Sequence, residues 1–93
     1  MKKLSELMLE GYSMVGKQCT GVTSIGNSRN PMAVCAIGAA SLAKFKDAND
    51  DLDAALYCQI ANFKDRVGCS VMYLNDNGMS IPDIAGIAAA EGL

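Results

Sequence analysis

Ninety-three residues amount to one domain, and 51% of them are apolar while only 19% are charged. The net charge is −2 and the eight basic residues are scattered, so there is no cationic stripe to neutralise phosphates and direct nucleic-acid binding is disfavoured. No apolar run approaches the roughly 20 residues of a membrane span, and glutamates interrupt the opening MKKLSELMLEG where a signal peptide would stay apolar; a cytoplasmic protein is expected.

Residues 3–15, KLSELMLEGYSMV, read as a first helix. Leu4, Leu7, Met8 and Val15 share a stripe with Tyr12 beside it, and Gly16 stands where a left-handed residue ends a helix. Gly11 weakens its middle by roughly 1 kcal/mol relative to alanine. Residues 17–29, KQCTGVTSIGNSR, change character: Thr20, Val22, Thr23 and Ile25 favour β structure, while Gly21 and Gly26 interrupt it. An irregular loop is expected there, with a short strand or hairpin near 19–25 as its most regular form. Gly26-Asn27-Ser28 lacks the rest of a phosphate-binding loop pattern and reads as a surface turn.

The centre of the chain is predicted to be a helix over residues 30–46, NPMAVCAIGAASLAKFK, capped by Asn30 with Pro31 in its first position. Val34, Ile37, Ser41 and Phe45 recur at helical spacing among small residues, which lets neighbouring helices approach closely; this is the expected buried rod. A polar connection follows, with Asn49 or Asp50 capping a helix over 51–67 and Asp51 and Asp53 against its positive end. The connection lacks the calcium-loop pattern. Leu52, Ala55, Leu56, Gln59, Ile60, Phe63 and Val67 supply the inner face, and Gly68 the stop. Cys69–Asn77 is read as a short helix ended by Gly78. The last helix has Ser80 as cap, Asp83 three residues on, Pro82 in the first turn, and Met79 and Ile84 placed as a hydrophobic staple. Ile84, Ile87 and Ala88 form its inner face, and Gly92 ends it.

The fold class expected is therefore mainly α: a single domain over 1–93, a compact bundle of four to five short helices around the alanine-rich one, with the short β segment near 19–25. Cys19, Cys35, Cys58 and Cys69 show no C-x-x-C spacing and the chain has no histidine, so the cysteines read as reduced small hydrophobes, and neither a metal site nor a cofactor is expected. Cys35 lacks an activating base, and its apolar neighbours would raise its pKa. Asn75 and Asp76 are the polar pair worth singling out. They either face a ligand from a turn or satisfy backbone groups where helices meet, and the second role is expected. No catalytic constellation is visible, so an enzyme is not expected.

Three segments carry a resemblance: Gln18–Gly21, Cys-Ala-Ile-Gly-Ala-Ala at 35–40, and Tyr-Leu-Asn-Asp-Asn-Gly-Met-Ser-Ile-Pro-Asp-Ile-Ala at 73–85. Their order resembles a family of small bacteriophage, prophage and bacterial proteins with a C-A-[LI]-G-A-A helix and a distal L-N-D ahead of a W-[ST]-x-x-x-I-A helix. The resemblance implies a phage-like context and no particular reaction. This chain departs from it in having Tyr73 where many relatives have histidine, Met79 where they have tryptophan, and a solitary Cys58 where some carry C-P-x-C. The apolar excess in so small a chain points to a protein partner or self-association. The alternative is a nucleic-acid-associated regulator, because Ser-Ile-Pro-Asp-Ile-Ala resembles the opening of a helix-turn-helix; it would need another pair of helices elsewhere and a basic face.

Overall fold

The computed structural model describes residues 2–49 and 53–93. The chain is mainly helical, with five helices and one short antiparallel hairpin among the described residues. Helix α1, Leu4–Val15, starts where the Lys3 backbone N–H donates to Glu6 (3.0 Å) and ends at Gly16, whose φ of 80° lets its N–H reach the Tyr12 carbonyl at 2.7 Å. Leu4, Leu7, Met8 and Gly11 are buried. Gly11 does more than weaken the helix: a Cβ there would lie 1.7 Å from the Ala39 carbonyl oxygen, so the glycine sets how closely α1 crosses the central helix.

After α1 the chain runs extended, and Gln18 forms a parallel bridge with Val34: the Val34 N–H donates to Lys17 (3.1 Å) and the Cys19 N–H to Val34 (2.9 Å). Strand β1, Ser24–Asn27, then pairs antiparallel with β2, Asn30–Val34, through a register shift at Ile25/Gly26 where Gly26 has a φ of 88°. The expected helix start at Asn30-Pro31 is thus corrected. These residues belong to a strand, because proline biases the residue before it toward extended backbone and the preceding segment supplies a partner. The β structure foreseen near 19–25 lies slightly later and is a hairpin.

The central helix α2 spans Ala36–Phe45. Cys35 caps it in place of Asn30, its Sγ accepting the Gly38 N–H at 3.3 Å. A Cβ on Gly38 would stand 2.2 Å from the Thr23 carbonyl oxygen, which instead accepts the Cys35 N–H at 3.0 Å. Ala36 and residues 38–43 are buried, so α2 is the rod around which the rest closes. The Ser41 hydroxyl is satisfied by the Asp47 carbonyl at 2.7 Å. Val34 is fully buried, but in β2; Phe45, expected on the same stripe, is exposed. Lys46 ends α2 in the left-handed region at φ 58°.

Helix α3, Ala54–Val67, begins three residues later than expected. Its cap is Asp53, whose carboxylate accepts the Leu56 N–H at 2.8 Å; the roles assigned to Asp50, Asp51 and Leu52 lie outside the described residues. Leu56 and Phe63 are buried, and Gly68 ends the helix at φ 92°. The short helix α4, Val71–Asp76, is capped by Ser70. Helix α5, Ile81–Ala90, is capped by Ser80, whose hydroxyl accepts the Asp83 N–H at 3.2 Å; Met79 and Ile84 both join the core, as the staple requires. Its buried face is Ile81, Ile84, Ala85 and Ala88, with Ile87 half-buried. The chain then folds back so that the Leu93 carbonyl accepts the Ser5 N–H at 3.2 Å. Among the described residues no helix is long and apolar enough to cross a membrane.

Candidate functional site

The two residues singled out in the sequence fall in the last turn of α4, not in a turn between helices, and they differ sharply in exposure. Asn75 is fully buried and Asp76 is exposed. Short as it is, α4 is held at its start by Ser70 and against the core by Val71, and this aims Asn75 at the point where residues 17–19 meet the start of α2.

There the Asn75 side-chain oxygen accepts two hydrogen bonds, from Ala36 N and Gln18 Nε2, each at 2.9 Å. Its Nδ2 donates to the Cys19 carbonyl at 2.9 Å and leans toward Asp76 Oδ1 at 3.4 Å. Gln18 extends the network: its Nε2 also donates to the Met79 carbonyl at 2.7 Å, and its Oε1 accepts the Ile81 N–H at 2.7 Å. Asp76 closes the outer side by accepting the Gly21 N–H at 3.0 Å. One buried amide therefore ties three segments together, with its hydrogen-bonding capacity taken up by protein. This clip holds the β layer, α2, α4 and the first turn of α5 in one arrangement. The Asn75 amide so placed faces protein on both its oxygen and its nitrogen, whereas Asp76 stays exposed.

Gln18 is the member that residue-by-residue reading missed. Its partners lie 57 to 63 residues away, and a glutamine after a helix carries no local sign of them. Beside the clip, Cys19, Ala33 and Cys35 form a buried cluster with Ile37 and Met72 packed on it. Burial pushes both thiols above the usual cysteine range, and for Cys35 it outweighs the opposing Gly38 N–H. Neither is an activated nucleophile in this state. Among the described residues there are no disulfides and no groupings of three or more cysteine, aspartate or glutamate side chains that could hold a metal.

Elsewhere the described residues line open hollows, among them two of more than 300 Å³. One, of about 320 Å³, is lined by Lys2, Leu7, Ala43 and Lys44. Lys2 pairs with Glu10 and Lys44 with Asp53 (3.0 Å) across its rim. The other, of about 460 Å³, lies along Lys64, Gly68, Cys69, Ser70 and Tyr73. Compared with known proteins, the chain matches no family, no curated protein and no solved structure.

Proposed function

We propose that this chain is a small cytoplasmic, non-enzymatic protein-binding or assembly protein, of the phage or prophage type its motifs resemble, and that it associates with a second copy of itself through the hairpin. The observation that carries this reading is the exposure of Val22, Ile25 and Met32 on and beside the hairpin, Met32 at 70%. Large apolar side chains grouped on a strand pair are a common form of contact surface. Strand β1 is also the outer strand, since β2 is flanked by β1 on one side and by Gln18 on the other.

Two further features support a binding role over catalysis or nucleic-acid recognition. The buried Asn75 amide is spent on holding the fold. Helix α5, the segment that resembles a helix-turn-helix opening, contains no lysine or arginine. The test is light scattering over a dilution series, comparing the parent chain with Ile25→Lys/Met32→Lys. Association that rises with concentration and disappears in the charged variant is expected. A parent chain that stays monomeric throughout, or a variant that associates equally, overturns the reading.

A further inference from the structure

Three sulfur atoms gather beside the clip. The Cys35 thiol donates to Met72 Sδ at 3.9 Å, and the Cys19 thiol donates to the Val22 carbonyl at 3.5 Å. Cys19 and Cys35 each come one residue after the paired Gln18 and Val34, so their side chains leave the same face of neighbouring parallel segments, and both belong to the cluster on which Met72 packs. Asn75 reinforces the grouping. It bonds the Cys19 carbonyl and the N–H of Ala36, the residue after Cys35, and it lies three positions after Met72 and so on the same side of α4. One side chain thus holds all three sulfur-bearing segments in register.

We propose that Cys19, Cys35 and Met72 form a three-sulfur site for a soft monovalent metal ion, Cu(I). Thiolate and thioether ligands select this ion over harder divalent metals, and the absence of histidine from the chain removes the usual competing ligand. Three sulfurs around one ion in a plane, with metal–sulfur bonds of about 2.3 Å, stand about 4.0 Å apart. The Cys35–Met72 separation already matches that spacing. Binding ionises two Sγ–H groups, their protons pass to solvent, and the two thiolates and the Met72 thioether each give a lone pair to the ion without change of oxidation state. The anionic centre so formed sits at the positive end of the ten-residue α2, where the Gly38 N–H already points at Cys35 Sγ. The exposed Asp76 carboxylate opposes this charge but is engaged with the Gly21 N–H. Met72 is half-buried and is the most exposed of the three residues.

The experiment is anaerobic titration of the reduced full chain with Cu(I) against a chromogenic chelator, in a Cys58→Ser/Cys69→Ser background that removes the other two thiols. One ion per chain with near-ultraviolet thiolate absorption is expected. Met72→Leu keeps the apolar volume, and Cys35→Ser keeps a helix cap; with far-ultraviolet dichroism unchanged, each should weaken binding by about tenfold or more, the least that even an outer-shell loss typically produces. Loss of binding in the Cys58→Ser/Cys69→Ser background, or equal affinity in Met72→Leu, overturns the assignment.

Discussion

Replacing Asn75 by alanine separates the two roles an amide at this position could have. In the structure it removes the partners of two buried backbone groups, the Ala36 N–H and the Cys19 carbonyl, and one of the two acceptors of Gln18 Nε2. Each buried backbone group left without a partner costs about 1–3 kcal/mol. Gln18 keeps the Met79 carbonyl, so its loss is smaller. Two orphaned backbone groups and a small void together come to about 3–5 kcal/mol, set against a total stability for a chain of this size of about 5–14 kcal/mol. Urea unfolding followed by far-ultraviolet dichroism measures the difference. Asn75→Asp is a useful companion, since it preserves the shape but takes away the donor to Cys19 and adds a buried carboxyl group; it should cost nearly as much. A loss under about 1 kcal/mol for Asn75→Ala would refute the reasoning.

Gly11→Ala should be among the most damaging single changes, costing about 3 kcal/mol or more in the same assay, because its Cβ would collide with the Ala39 backbone and force α1 and α2 apart. Gly86→Ala, with nothing within 4 Å of the added carbon, should instead stabilise the chain by up to about 1 kcal/mol. Iodoacetamide applied to the native protein should modify exposed Cys58 first and the buried Cys35 only under denaturing conditions, as mass spectrometry of peptide digests would show. Asp53 is held below its ordinary value of 3.8 by the Leu56 N–H and by Lys44. Its contribution is therefore complete above that value and lost as pH falls through the lower folded value; Asp53→Ala should flatten the corresponding part of a stability–pH curve measured by thermal unfolding.

Local signals in the sequence located most of the helices and fewer of their partners. Gly16, Gly68 and Ser80 work through neighbours within a turn, so their capping roles could be read from the residues themselves. Asn30-Pro31 carries a signal compatible with either a helix start or an extended segment. What decides is pairing with Ser24–Asn27 and with Gln18, which no window centred on Asn30 contains. Gly11 read as a weakness because helix propensity is a property of one helix, whereas its actual role is set by the helix lying across it. Asn75 is marked in the sequence only as half of a polar pair with Asp76, and the bonds that define it cross 39 to 57 residues of chain. The expectation of small, partly buried hydrophobic thiols fits Cys19 and Cys35 but not the exposed Cys58, and the grouping of the first two with Met72 depends on the parallel bridge between Gln18 and Val34.

The reach of Gln18 has a kinetic consequence. Its bonds to Asn75, Met79 and Ile81 all close essentially the same loop, at an entropic expense of about 3.6 kcal/mol that is incurred once and shared among them. They should accordingly form and break as one cooperative unit. The amides of Ala36 and Ile81, on different helices, would then exchange with deuterium at matched rates set by a single opening event.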